Sequence, residues 1–188
     1  MKRRSFLIQS GTALGGSWIT MSTPAALAAT VTARKAREEG HAFKVLSSAE
    51  AVEFAAIAAQ IIPSGSSAGA TEAGVIYFMD IVLADNNAEV LQSMRQGLAE
   101  LQVSIKSSYN NENFASLENL QQIEVLQGIE ESDFFGTMRY LTLAGTFSNS
   151  SYGGNRDNTG WQLIGFEGPH PTQPPFGHYD ADYIKRGK

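Results

Sequence analysis

Leu91-Gln92-Ser93-Met94-Arg95-Gln96-Gly97-Leu98-Ala99-Glu100-Leu101-Gln102-Val103-Ser104-Ile105 decides the fold class. Leu91, Met94, Leu98, Leu101 and Ile105 recur at steps of three, four, three and four, so five apolar side chains share one stripe of an α-helix. Upstream, Ser47-Ser48-Ala49-Glu50 fits a capping box, with the serine hydroxyl accepting from the third helical amide and Glu50 reaching back. Val52 to Ile62 then reads as a helix with only Glu53 and Gln60 polar, hence buried on several sides, and Pro63 ends it. Ser64 to Gly69 is a flexible loop by composition, and Glu72 to Leu83 reads as a second apolar helix carrying Asp80. That helix is too short to cross a bilayer.

Downstream the pattern weakens. Phe114 to Ile129 offers a helix with Leu117, Leu120, Ile123 and Leu126 at steps of three. Phe134, Met138, Leu141 and Gly145 mark another, with Ser132 as its N-cap. No stretch alternates apolar and polar over strand length, so the expected class is all-α, a small helical bundle. After Phe147 the helical pattern stops. Residues 148–188 form a long C-terminal segment rich in Gly, Pro and aromatics, with four of the chain's six prolines between Pro169 and Pro175. It carries Tyr152, Trp161, Phe166, Tyr179 and Tyr183, too many anchors for a merely solvated tail. We therefore expect an irregular segment that packs against something.

The first 29 residues read as an address. Lys2, Arg3 and Arg4 precede a moderately apolar stretch from Phe6 to Ile19, and Ala26, Ala28 and Ala29 suit a signal peptidase. Arg3-Arg4-Ser5-Phe6-Leu7 resembles the twin-arginine export motif, and Gly11, Gly15 and Gly16 dilute the apolar core as that route prefers. The resemblance implies a periplasmic protein exported in a folded state by the twin-arginine translocation machinery. Residues 30–46 read as a linker or arm, and 47–188 as a single helical domain. Without residues 1–29 the chain keeps 11 basic and all 19 acidic residues, a balance that disfavours nucleic acid as a partner.

There is no cysteine, which removes disulfides, thiolate metal sites, iron–sulfur clusters and covalent haem attachment. Neither a G-x-G-x-x-G nor a P-loop occurs, so this chain is not expected to hold its own cofactor. Asn155-Arg156-Asp157-Asn158-Thr159-Gly160 loosely matches a calcium loop, but Phe166 stands where the bidentate glutamate belongs and Glu167 is one place late. A turn displaying Arg156 and Asp157 is the plainer reading. His41, His170 and His178 share no metal-ligand spacing. Glu72 and Asp80 would fall about 80° apart on one helix, and a glutamate favouring the helix N-terminus accounts for Glu72 without chemistry. No serine sits in a G-x-S-x-G elbow, so catalysis by this chain alone has no sequence support.

Ile61-Ile62-Pro63, Gly69-Ala70-Thr71-Glu72-Ala73-Gly74-Val75, Asp133-Phe134-Phe135, Tyr152-Gly153-Gly154-Asn155-Arg156-Asp157 and Gly160-Trp161-Gln162-Leu163-Ile164-Gly165-Phe166 complete the informative blocks. Together they resemble the gluconate 2-dehydrogenase subunit 3 family over about residues 45–185. The resemblance implies a non-catalytic small subunit of a periplasmic, inner-membrane-associated dehydrogenase complex. In such complexes a large subunit holds FAD and oxidises a sugar, sugar acid or polyol, and a multihaem cytochrome c subunit usually carries the electrons onward. The small subunit's expected work is maturation, export and stability of the flavoprotein. Asn149-Ser150-Ser151 departs from the proline common before the Tyr-Gly-Gly-Asn block, and Gln173 to His178 looks like a local elaboration. Both leave the substrate open.

Two readings of the tail follow. In one, Tyr152, Gly153, Gly154, Asn155, Arg156, Asp157 and Trp161 form a partner interface, since Trp, Tyr and Arg anchor interfaces. In the other, Tyr152 and Trp161 fold back onto their own helices as core. A transient export chaperone and an independent periplasmic enzyme or ligand binder are the alternatives to a permanent subunit.

Overall fold

The computed structural model describes residues 43–85 and 87–168. The expected signal over 1–29, with Arg3, Arg4, Phe6, Leu7, Ala26, Ala28 and Ala29, lies outside the described residues, as do the arm to residue 42, the histidines 41, 170 and 178, and Tyr179 and Tyr183. Among the described residues six α-helices follow one another: α1 Ser48–Ile61, α2 Val75–Ala84, α3 Ala88–Tyr109, α4 Asn119–Gly128, α5 Asp133–Phe147 and the short α6 Thr159–Leu163. Three-residue 3-10 turns stand at Phe114–Ser116, Ser150–Tyr152 and Arg156–Asn158. No strand occurs among the described residues, and the all-α expectation holds.

The caps set the helix starts. Ser47 Oγ accepts from the Glu50 amide at 3.2 Å and Glu50 accepts from the Ser47 amide at 2.7 Å, so the capping box of α1 is present as read. Ser132 Oγ likewise accepts from the Phe135 amide at the head of α5. On α3 the five stripe residues are all buried, as are Phe134, Met138, Leu141 and Gly145 on α5. Helix α5 packs against α1, α2, α3 and α6, which makes it the centre of the bundle.

Three expectations are corrected. Helix α2 begins at Val75, not Glu72, because Gly74 turns left-handed at φ 69° and interrupts the backbone. Glu72 therefore serves the preceding loop: its carboxylate accepts from Ser64 Oγ at 2.6 Å and the Gly69 amide at 2.7 Å. The Ala70 amide closes the same loop on the Ile62 carbonyl at 2.9 Å, so this segment is tied shut despite its small residues. The helix expected from Phe114 breaks into a 3-10 turn and α4, and Leu120 and Ile123 point outward, 79% and 38% exposed. Leu117 and Leu126 are buried as expected, but a strict three-residue step drifts about 60° around the helix each time, so on α4 Gln122 joins Leu126 in the core in place of Leu120 and Ile123, with Ile129 packed just beyond the helix end. The tail after Phe147 is not wholly irregular, since it contains α6 and two of the 3-10 turns.

Two buried carboxylates fasten non-helical segments to this bundle. Asp80, 5% exposed in the middle of α2, accepts from three consecutive amides: Lys44 at 2.8 Å, Val45 at 3.0 Å and Leu46 at 3.1 Å. The end of the expected arm is thereby part of the fold, and Phe43 stacks near Tyr77 with ring centroids 5.6 Å apart. Glu53 on α1 accepts from the Phe114 and Ala115 amides at 2.8 and 3.3 Å, holding the start of the 3-10 turn. Gln122 continues that junction, donating to the Phe114 carbonyl at 3.0 Å and accepting from Gln60 at 2.6 Å. A carboxylate accepting several backbone N–H bonds forms charge-assisted bonds, roughly twice as strong as neutral ones.

Asp80→Asn places an amide N–H against a backbone donor and should cost about 2 kcal/mol, read as a lower urea midpoint with unchanged slope. A second test concerns Glu50. The Arg95 guanidinium, at 2.6 Å, holds its carboxyl down at about 2 from the ordinary 4.5, helped by the Ser47 amide and hydroxyl. The folded value is the lower one, so the contribution is present above 4.5 and is lost as pH falls toward about 2. Arg95 is 42% exposed, so solvent screening keeps the pair near ~1 kcal/mol. The stability difference between the parent chain and Glu50→Gln should thus shrink through that acid window in pH-dependent urea unfolding.

Candidate functional site

Helix α5 ends inside the protein, and the last carbonyls of any helix lack intrahelical partners. Ser148 N donates to the Ala144 carbonyl at 2.9 Å, leaving those of Gly145, Thr146, Phe147 and Ser148 to be met by other groups. Residues 153–161 meet three of the four. The Asn155 amide donates to the Gly145 carbonyl at 2.7 Å, Asn155 Nδ2 to the Ser148 carbonyl at 2.8 Å and Trp161 Nε1 to the Phe147 carbonyl at 2.9 Å. Asn155 Oδ1 accepts from the Gly160 amide at 2.8 Å, closing the loop on itself. One fully buried side chain thus joins both ends of the loop to the helix terminus.

The backbone needed for this is unusual. Asn155, Asp157 and Asn158 all have positive φ, at 43°, 53° and 58°, a region that Asn and Asp enter more readily than other side chains. Gly154 and Gly160 are required by contact. A Cβ at Gly154 would stand 2.0 Å from the Gly145 carbonyl oxygen, and one at Gly160 would stand 1.9 Å from that of Thr146. The loop therefore lies with its backbone directly on the end of α5. The Arg156 amide extends the clamp to a second element, donating to the Ala73 carbonyl at 3.0 Å. This bond brings the Gly69–Val75 block and the Tyr152–Asp157 block together. Thr159 Oγ1 donates to the Arg156 carbonyl, and Gln162 Nε2 to that of Asp157 at 3.0 Å.

The seven tail residues singled out from sequence separate by orientation. Asn155 and Gly154 are buried, Gly153 and Tyr152 are half-buried, and Tyr152 packs against the core. Trp161 is half-buried, its ring edge-on to Phe166 with centroids 5.2 Å apart. Arg156 and Asp157 project outward as an ion pair at 3.3 Å, with side chains 55% and 84% exposed. Of the seven, then, Arg156 and Asp157 are exposed, paired with each other, and Tyr152, Gly153 and Trp161 are exposed in part.

The carboxylates weighed for acid–base work do not converge. Glu72 binds the loop at 64–69 while Asp80 binds the arm at 44–46. Among the described residues no group of three or more His, Cys, Asp or Glu is placed to hold a metal ion, and both polar ends of the Asn155 side chain in the calcium-like stretch are occupied by backbone. What this arrangement does chemically is structural support: it supplies donors to the carbonyl end of α5. Sequence reasoning missed the partners of Glu53 and Asp80. The visible signal was a lone carboxylate inside an apolar helix, which needs donors from elsewhere in the chain.

Asn155→Ala leaves the Ser148 carbonyl and the Gly160 amide without these partners and places alanine at positive φ. It should cost about 3 kcal/mol in chemical denaturation, and Gly160→Ala a similar amount. Trp161→Phe, which loses one bond, should cost about 1 kcal/mol.

The family model described as Gluconate 2-dehydrogenase subunit 3 matches residues 48–168. No curated protein and no solved structure matches the chain.

Proposed function

Because the chain belongs to the gluconate 2-dehydrogenase subunit 3 family, we propose that it is the small, non-catalytic subunit of a periplasmic flavin-dependent dehydrogenase complex. The single observation that carries this reading is the match over residues 48–168, which spans every helix described above. In this reading the large subunit holds FAD and oxidises a CH–OH group of a sugar, sugar acid or polyol. A multihaem cytochrome c subunit accepts the electrons, and the complex associates with the inner membrane through its other subunits. The small chain supports maturation and stability of the flavoprotein and, through a twin-arginine signal at residues 1–29, its export.

Physical placement supports the residue roles in this reading. Asn155, Gly153 and Gly154 support the reading as scaffold: they hold the loop on α5 so that Arg156, Asp157 and Trp161 are presented in one rigid geometry. Preorganisation of this kind lowers the ordering cost of binding. The C-terminal segment then carries the contact and the bundle carries the segment.

The test is a tagged chain recovered from periplasmic and membrane fractions of its host. A flavin absorption band with a large companion subunit is the expected result, and haem bands would add the cytochrome. Arg156→Ala should lower the yield of the flavin-bearing companion without shifting the melting temperature. A colourless chain recovered alone from the mature periplasm would overturn the permanent-subunit reading.

A further inference from the structure

The 153–161 loop serves a second set of carbonyls besides those of α5. Before α2 the chain makes a single turn, in which the Ala73 amide donates to the Gly69 carbonyl at 3.0 Å and the Gly74 amide to that of Thr71 at 3.1 Å. The left-handed backbone of Gly74 stops this turn from running on into α2. In a continuous helix the Ala73 carbonyl would receive the Tyr77 amide, but that amide donates to the Gly74 carbonyl at 3.1 Å. Ala73 is buried, so its carbonyl needs a donor from elsewhere in the chain. Arg156 N is that donor, and the amide just before it, Asn155 N, meets the Gly145 carbonyl at the end of α5.

Two consecutive amides thus cap two separate chain ends. Those ends are neighbours, since a Cβ added at Gly145 would stand 3.2 Å from Val75 Cγ1 at the start of α2. Only the dihedrals of Asn155, φ 43° and ψ 47°, lie between the two amides, and peptide planarity lets neither turn freely of the other. Opening the loop therefore removes donors from two carbonyls together, while a shift of residues 69–74 takes the acceptor from Arg156. The far side of the turn is closed in the same way. The Ala70 amide holds the Ile62 carbonyl at 2.9 Å, and the Glu72 carboxylate holds the Gly69 amide at 2.7 Å.

We infer that residues 62–74 and 153–161 open and close as one cooperative unit, linked by the bond from Arg156 to Ala73, and that this unit opens ahead of the α3 core. Cooperative opening of contiguous units is how local stability is generally organised in folded chains. The unit carries the exposed side chains of Thr71 and Glu72 on one side and of Arg156 and Asp157 on the other. A contact that shifts the closure from either side is felt at the other, and by linkage the coupling is equal in both directions.

The test follows amide hydrogen exchange by NMR in the full-length chain. A Cβ at Gly69 would stand 2.5 Å from the Ile62 carbonyl oxygen and 2.7 Å from Ser64 N, so Gly69→Ala forces the first loop apart without touching the second. The amides of Ala70, Ala73, Asn155, Arg156 and Gly160 should then exchange about tenfold faster or more, by a common factor, while those of the buried α3 residues Leu98 and Leu101 keep the parent rates. Acceleration at Ala70 and Ala73 alone would mean two independent loops and overturn the inference. Equal acceleration at Leu98 and Leu101 would also overturn it, because the bundle would then open only as a whole. Trp161→Phe perturbs the unit from the other end and should move the same five amides; movement confined to Asn155, Arg156 and Gly160 counts against the link. If Gly69→Ala does not fold, Glu72→Ala, which removes the acceptor of the Ser64 hydroxyl and the Gly69 amide, carries the same comparison with a smaller common factor, and unchanged rates at all five amides would contradict the inference.

Discussion

The carbonyl end of α5 is the constraint around which this protein is built. Helix α5 contacts α1, α2, α3 and α6, so it cannot end in solvent and leave water to satisfy its last turn. Buried backbone acceptors without partners cost of the order of 1–3 kcal/mol each, and the loop from Gly153 to Trp161 supplies the donors. Each peculiarity of that loop follows from this task. Positive φ at Asn155, Asp157 and Asn158 curls the chain over the helix end. The missing side chains at Gly154 and Gly160 let backbone approach backbone. The indole of Trp161 reaches the Phe147 carbonyl from the far side.

The same accounting explains the acidic groups that a search for catalysis would seize upon. Asp80 and Glu53 are buried carboxylates whose oxygens are filled by main-chain amides of the 44–46 and 114–115 segments. At the surface, Glu72 fastens the loop that follows α1, accepting from the Ser64 hydroxyl and the Gly69 amide. Each joins parts of the chain that no continuous helix could hold together. A bundle with one long amphipathic helix and several short ones needs such fasteners, because short helices gain little stability from their own hydrogen bonds.

Much of the bundle was legible because it rests on local rules. Ser47 and Ser132 read as caps from their neighbours, and Leu91 to Ile105 and Phe134 to Gly145 announced their faces by spacing. Leu120 and Ile123 misled because a run of three-residue steps rotates away from any fixed face. Glu72 misled because the left-handed turn at Gly74, which stops α2 from starting earlier, is a backbone property that spacing does not register. The tail was legible as something held in place, given its aromatics, but not as a cap on α5, since its bonds reach Ala73 and Gly145 across the fold. The composition marked Asn155 as a notable residue without revealing that both ends of its amide are used internally.

Function enters where support becomes display. Holding 153–161 against α5 leaves the Arg156 and Asp157 side chains exposed and Trp161 partly so, in a chain that belongs to a family of dehydrogenase subunits. The account thus rests on the loop being a fixed cap in the isolated chain rather than a segment ordered by a partner. Amide hydrogen exchange at Asn155, Arg156 and Gly160, measured by NMR on the chain alone, tests that claim most directly. Protection approaching that of the α5 interior is the result this account requires, whereas exchange at the rate of an open loop would contradict it.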